Sequence, residues 1–128
     1  MENRSSCAFP RKEKLKSKRL IEQLFVEGNA INNFPLKLIY IKTNFEDDSK
    51  IKTGVIAPKK RFKSAIARNQ IKRKLREAYR LNKSVIFNNI EGDFALMILY
   101  LGKEVYSHEY IDNKMKGLLK KFLEKNNT

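Results

Sequence analysis

The sequence contains little of what a secreted or membrane-spanning protein needs. It has one cysteine, Cys7, among 128 residues, so no internal disulfide can form and a reducing compartment, the cytoplasm, is expected. The longest apolar run, 94–101, has the length of a strand and not the ~18 residues of a membrane-spanning helix. The first residues also lack the apolar stretch of a signal peptide, so we expect no membrane partner.

Side chains that perform acid–base or metal chemistry are scarce as well. The one histidine, His108, lies near a predicted helix start and is expected to be a first-turn surface residue. Asp47 and Asp48 lie in a polar turn and are expected to serve that turn. A nuclease that acts alone needs clustered carboxylates or histidines. The sequence therefore predicts no catalytic residues, no metal site and no cofactor bound by the protein.

Acidic residues are outnumbered two to one. The chain has 28 Lys or Arg against 14 Asp or Glu, which gives a formal net charge of +14. So large an excess destabilises a compact chain by self-repulsion, and a polyanionic partner would offset it. The candidate partners are nucleic acid, an anionic membrane surface and an acidic protein.

Apolar periodicity predicts helices and strands in alternation. Helices are predicted over residues 15–27, 64–82 and 107–124, and strands over 30–32, 35–43, 51–57 and 94–101. Gly28 is expected to end the first helix in the left-handed conformation. A hairpin between 35–43 and 51–57 is the simplest pairing. Residues 15–125 are expected to form one domain, and residues 1–14 a basic, mobile arm or a solvated tail.

The predicted helix over 64–82 has two opposite faces. On a helical wheel, Ala67, Ile71, Leu75 and Ala78 form an apolar arc, with Tyr79 at its edge. Roughly opposite lies an arc of Asn69, Lys72, Arg73, Arg76 and Arg80. A solubility face would mix charge signs, but residues 58–80 hold ten basic residues and one acid, Glu77. Like charges one helical turn apart repel each other and cost stability. Phosphate binding explains why they are present. The predicted phosphate-binding residues are Lys59, Lys60, Arg61, Lys63, Arg68, Asn69, Lys72, Arg73, Arg76 and Arg80.

The sequence Ala57-Pro58-Lys59-Lys60, followed by Arg68-Asn69-Gln70-Ile71-Lys72-Arg73-Lys74-Leu75-Arg76-Glu77, resembles a family signature. The family is the protein subunit of bacterial ribonuclease P. Its signature is a helix Arg-Asn-Arg-x-Lys-Arg-x-x-Arg-Glu after a strand that ends in Lys-Lys. The resemblance covers roughly residues 8–124. Gln70 stands where the family usually has its second Arg, which puts an RNA contact at that position in doubt.

The resemblance implies a fold and a function. The fold would be an α/β (α+β) two-layer sandwich in the order αβββαβα, with a mixed four-stranded sheet and an unusual left-handed crossover. The function would be that of the protein component of ribonuclease P, an endoribonuclease whose catalytic centre lies in its RNA and requires Mg²⁺. The protein would bind that catalytic RNA and the 5′ leader of precursor tRNA, and would assist removal of the leader to give the mature 5′ end.

A leader-binding cleft is expected between the sheet and the N-terminal helix. Aromatic side chains beside cationic walls bind single strands, and the candidates for the cleft floor are Phe25, Leu36, Leu38 and Tyr40. Each of these side chains is individually more often part of a core. A ribosomal protein or RNA chaperone would share the charge but not the long signature. A DNA-binding module is disfavoured because neither a helix-turn-helix pair nor zinc ligands are present.

Overall fold

Four strands and four α-helices make up the part of the chain that the structure, a computed structural model, describes, which is residues 8–126. The strands are β1 (Asn29–Asn33), β2 (Leu36–Thr43), β3 (Ile51–Ile56) and β4 (Asp93–Tyr100). The helices are α1 (Lys18–Glu27), α2 (Ala65–Asn82), the single-turn α3 (Ser84–Phe87) and α4 (His108–Asn126). A short 3-10 helix, Arg11–Glu13, precedes α1. Apart from the added short helices, the predicted order αβββαβα is confirmed.

The strands form one mixed sheet in the order β1-β2-β4-β3. β4 is antiparallel to β2 and parallel to β3, so the predicted hairpin between β2 and β3 is wrong. The reason is the apolar run of β4, whose residues Phe94–Ile98 are all buried. A strand that is apolar on both faces is most stable at the centre of a sheet, where it separates β2 from β3. The handedness of the crossover through α2 stays a prediction.

The main core lies between one face of the sheet and the helices α2 and α4. Four α4 side chains that share one face of the helix, Ile111, Met115, Leu118 and Phe122, are fully buried there. Ser107 caps α4 by accepting a hydrogen bond from the backbone N–H of Tyr110 at 3.1 Å. These contacts fix α4 against the sheet and give α2 a rigid support.

Within the described residues, the opposite face of the sheet is covered by α1, by Leu15 before it and, at the edge, by Phe45 of the loop after β2. Leu24 of α1 and Leu15 are buried against Ala95 and Met97 of β4. Ile39 of β2 packs at the edge of this cluster and is only half-buried. The thin cover leaves room for a groove between the N-terminal residues and the sheet.

Residues 9–15, which precede α1, are packed on the domain. Phe9 lies with its ring centroid 5.3 Å from that of Tyr79, and the Leu15 N–H donates to the carbonyl oxygen of Thr53 at 3.0 Å. Glu13 forms a buried ion pair with Lys83. Residues 9–14 of the predicted arm 1–14 are therefore packed on the domain and not solvated, and for residues 1–7 the arm stays a prediction. Cys7 and the rest of residues 1–7 lie outside the described residues.

Two expectations about α1 also change. The helix begins at Lys18, because Ser17 Oγ accepts from the Leu20 N–H at 3.3 Å and caps it there. Gly28 has φ −68° and ψ 154°, so the expected left-handed conformation is wrong. Glycine is needed for space instead, since a Cβ atom at this position would lie 2.4 Å from Leu24 O and 2.5 Å from Ile39 Cγ2.

Candidate nucleic-acid interface

The position of α2 is fixed by its cap and its apolar arc. Ser64 Oγ accepts from the Ala67 N–H at 3.3 Å and caps the helix there. Ile71, Leu75, Ala78 and Tyr79 are buried against the rest of the core, with Ala67 at its edge. The opposite side of the helix must therefore face solvent.

That solvent-facing side carries the basic stripe, defined as Asn69, Lys72, Arg73, Arg76 and Arg80. Asn69, Arg73 and Arg76 are exposed, and Lys72 is half-buried. Lys72, Arg73 and Arg76 form no ion pair with any residue in the described part of the chain. Three cations whose charge is not neutralised within the domain remain available for an anionic partner.

Arg80 differs from the rest of the stripe. Its guanidinium forms an ion pair with Glu77 at 2.7 Å, one helical turn away. The hydrogen bond from Arg80 holds the pKa of the Glu77 carboxyl below its ordinary value. The charge of Arg80 is thus partly offset within the helix, and a phosphate would have to compete with Glu77 for it.

Arg68 ties the preceding loop to α2. Its Nη1 donates to the carbonyl oxygens of Phe62 at 2.8 Å and of Lys63 at 2.9 Å. The Phe62 side chain is buried in the core beside the loop. Lys59, Lys60, Arg61 and Lys63 are consequently exposed on a segment that is anchored at the N-terminus of α2. The sequence identified Arg68 as a cation but did not predict this structural role.

Lys74 also has a role that the sequence did not reveal. Its Nζ donates to the carbonyl oxygen of Tyr106 at 2.7 Å and joins α2 to the loop that follows β4. The two residues are distant in sequence, so no local pattern indicated the contact.

A groove of about 290 Å³ lies between the N-terminal residues and β3. Its apolar wall includes Phe9, Ile21 and Met97, and Lys14 and Arg76 line it as cations; Leu15, Lys16 and Thr53–Ile56 complete the lining. Arg76 therefore belongs both to the basic stripe and to this groove. The sequence predicted a cleft between the sheet and the N-terminal helix but did not identify these residues as its lining.

None of the four residues predicted for the cleft floor lines this groove. Leu36 and Leu38 are fully buried and Tyr40 is 4% exposed, all in the main core below α2 and α4. Tyr40 packs edge-on against Phe122, with ring centroids 5.0 Å apart. These three residues share the face of β2 that α2 and α4 cover, whereas the predicted cleft requires the face that α1 covers. Phe25 is 50% exposed on α1 and is not part of the lining of the groove.

Acidic residues do not gather into a metal site. Within residues 8–126, no group of three or more His, Cys, Asp or Glu side chains is arranged to hold a metal ion. Asp47 accepts from the Ser49 N–H at 3.0 Å and from Lys52 Nζ at 3.0 Å, and these bonds, that from the Ser49 backbone foremost, lower its pKa from 3.8 to about 2. His108 is exposed in the first turn of α4. None of the helices in the described part is long and apolar enough to cross a membrane.

Comparisons with known proteins identify the family and the fold of this chain. Residues 9–123 match the family model described as Ribonuclease P. A protein described as "Ribonuclease P protein component" from Dictyoglomus thermophilum is 32% identical over 118 residues, which cover 92% of this chain and 91% of that protein. One from Porphyromonas gingivalis is 34% identical over 86 residues, which cover 67% of this chain and 63% of that protein. For the latter, the match thus spans under two thirds of the relative.

Solved structures show the same fold. The RNase P protein of Staphylococcus aureus superposes with a TM-score of 0.69 at 19% identity, over 86% of this chain and 94% of that chain. The RNase P protein from Thermotoga maritima gives a TM-score of 0.66 at 22% identity, over 91% of this chain and 99% of that chain.

Proposed function

The chain belongs to the ribonuclease P protein family, and on that premise we propose that it binds the catalytic RNA of ribonuclease P and the 5′ leader of precursor tRNA. In this role it assists endonucleolytic removal of the leader in the bacterial cytoplasm. The observation that carries the proposal is the basic stripe of α2, whose cations Lys72, Arg73 and Arg76 have no acidic partner within the described domain.

The basic stripe supports binding to the catalytic RNA. Arginine presents a planar fork that grips two phosphate oxygens at once, and lysine adds a point charge. The exposed Lys59, Lys60, Arg61 and Lys63 extend this surface beyond the helix N-terminus. Together these positions offer enough cations for roughly six to ten phosphate contacts, which make affinity strong and sensitive to salt.

The groove between the N-terminal residues and β3, which we call the leader groove, supports binding to the leader. Single strands bind where apolar or aromatic side chains adjoin cationic walls. Phe9 and Met97 supply the apolar side and Lys14 and Arg76 the cationic side. Because Arg76 also belongs to the basic stripe, RNA bound on α2 and a strand in the groove would be adjacent.

We assign the hydrolysis of the phosphodiester bond to the RNA subunit. Hydrolysis of a phosphodiester by a protein needs a metal cluster or an acid–base pair. The role that remains for the protein is to supply positive charge where two RNA molecules meet. Mg²⁺ would then be required by the RNA subunit and not held by a protein site.

A reconstitution assay tests the proposal. Precursor tRNA labelled at its 5′ end is incubated at low Mg²⁺ with the protein, with the cognate catalytic RNA, or with both. Only the mixture is expected to release the leader at the mature 5′ end, because the protein offsets phosphate repulsion that low Mg²⁺ leaves unscreened. Cleavage by the protein and Mg²⁺ in the absence of RNA would overturn the assignment.

The role of the groove is tested with precursors that carry a one-nucleotide or a longer leader. Wild-type holoenzyme is expected to bind the longer leader more tightly, and Lys14→Ala is expected to reduce that preference. Lys120→Ala is the matched control, because Lys120 is an exposed lysine of α4 outside the groove. An equal loss of preference in both variants would argue against a leader site in the groove.

A further inference from the structure

A second groove lies at the end of the sheet where β4 finishes. It has a volume of about 520 Å³ and is lined by Phe34, Arg61, Leu101, Lys103, Glu104 and Tyr106. This volume lies within the range of ~300–1,000 Å³ that is usual for small-ligand sites. The residues come from the turn between β1 and β2, from the loop before α2 and from the loop after β4. None of the residues that line the leader groove contributes to it.

The loop after β4 is held in place by hydrogen bonds on both sides. The Tyr106 N–H donates to the hydroxyl of Tyr100 at 3.1 Å, and the Tyr106 carbonyl oxygen accepts from Lys74 Nζ at 2.7 Å. The Leu101 N–H donates to the Pro35 carbonyl oxygen at 2.6 Å. A wall fixed at three points does not have to be ordered when a ligand binds, which lowers the entropic cost of binding.

Aromatic rings form one surface of the groove. Phe34 is 59% exposed. The ring of Tyr106 lies over Gly102, where a Cβ atom would come within 2.9 Å of Tyr106 Cε2, so a residue with a side chain would displace the ring. Tyr110 continues the surface, with its ring centroid 4.7 Å from that of Tyr106 and a 34° angle between the rings. Tyr106 is half-buried, whereas Phe34 and Tyr110 are exposed, and exposed rings are stacking platforms for nucleobases.

Positive charge adjoins these rings. Arg61 and Lys103 are exposed, and neither forms an ion pair with a residue in the described part of the chain. Glu104 is the one acidic residue of the lining. Arg61 also belongs to the basic loop before α2, so the groove is continuous with the surface proposed to bind the catalytic RNA. Aromatic rings beside cations complement a nucleotide, whose base is flat and whose phosphate is anionic.

We propose that this groove is a second contact site for the ribonuclease P RNA and takes an unpaired nucleotide of that RNA. The base stacks on the exposed ring of Phe34, and the flanking phosphates bind Arg61 and Lys103. The inference rests on the proposed function, since it adds a base-stacking site to the phosphate-binding stripe of α2.

The experiment measures the affinity of the full-length protein for the catalytic RNA as a function of salt concentration. Phe34→Ala is expected to weaken binding about 5- to 100-fold, the loss of one stacked base, without changing the salt slope. Phe34→Tyr is expected to restore affinity because it keeps the ring. Lys103→Ala is expected to reduce the salt slope by about one. Leu81→Ala, which removes an exposed apolar side chain from α2, is the matched control and is expected to bind like wild type.

Arg73→Ala separates a failure of this inference from a failure of the proposed function. If Arg73→Ala weakens binding while Phe34→Ala binds like wild type, the stacking site is refuted and the function stands. If neither variant changes the affinity, the proposed function fails and the inference fails with it. Protection of an unpaired nucleotide from chemical probing by wild type, and its exposure by Phe34→Ala, would support the site directly.

Discussion

Arg68 and Arg73 carry the same charge on the same helix but have different surroundings. Arg68 is half-buried and donates two hydrogen bonds to the carbonyl oxygens of Phe62 and Lys63. Arg73 is exposed and forms no ion pair within residues 8–126. Their contributions to RNA binding should therefore differ in kind, one through the loop that it anchors and the other through direct phosphate contact.

We expect Arg73→Ala to reduce the slope of log affinity against log salt by about one and to leave stability unchanged. We expect Arg68→Ala to destabilise the protein by about 1–3 kcal/mol, because two hydrogen bonds from a charged group are lost. Salt-dependent RNA binding and urea unfolding measure the two effects. A lower stability of Arg73→Ala, or an Arg68→Ala variant as stable as wild type, would contradict the distinction.

The sequence predicted which α2 side chains face outward but not what they contact. The wheel correctly separated Ile71 and Leu75 from Arg73 and Arg76, because exposure follows from helical periodicity. The bond from Lys74 to Tyr106 depends on how a distant loop folds back, so periodicity carries no information about it. The phosphate contacts predicted for the ten basic and polar residues remain predictions.

At the scale of elements, the N-terminal residues before α1 act as one wall of the leader groove. They are fastened to α2 by Phe9 on Tyr79 and to the junction of α2 and α3 by the ion pair between Glu13 and Lys83. The two charged side chains are 15% and 6% exposed. A pair so deeply buried is costly to break, because removing one partner leaves the other charge without compensation.

We expect Lys83→Met to destabilise the protein by about 3–5 kcal/mol, since the Glu13 carboxylate would remain buried and unpaired. The double variant Glu13→Gln/Lys83→Met should recover most of that loss, because both charges are then gone. Urea unfolding measures the free energies. Lys12→Met, which breaks the exposed pair with Asp48, is the control and should leave the free energy of unfolding nearly unchanged. If the double variant is no more stable than Lys83→Met, the buried charge is not the cause.

Strand pairing was the part of the fold that the sequence predicted least well. A periodicity of two puts Leu36, Leu38 and Tyr40 on one face of a strand, and an apolar run such as that of β4 indicates burial on both faces. Neither pattern indicates which strands are neighbours in the sheet. The expectation that consecutive strands form a hairpin therefore paired β2 with β3, although β4 lies between them. The error in the cleft residues has a similar origin, because a periodicity of two does not say which helix covers which face.

At the scale of the whole molecule, an excess of positive charge is common to all of these sites. The chain carries a net charge of +14, and the basic stripe, the loop before α2 and both grooves all present cations. The same cations that would bind RNA repel one another in the free protein. Stability and RNA affinity should therefore respond to salt in opposite directions.

We expect the thermal midpoint of the free protein to rise with sodium chloride, because screening weakens the repulsion among its cations. Over the same range, from about 50 to 200 mM, affinity for the catalytic RNA should fall by about 10³–10⁵-fold if roughly six to ten phosphates are contacted. Circular dichroism melts and filter binding measure the two responses. Chloride is preferred to sulfate, which stabilises proteins by exclusion from their surface. A midpoint that falls with added chloride would show that attraction between Lys83 and Glu13 and similar pairs outweighs the net repulsion.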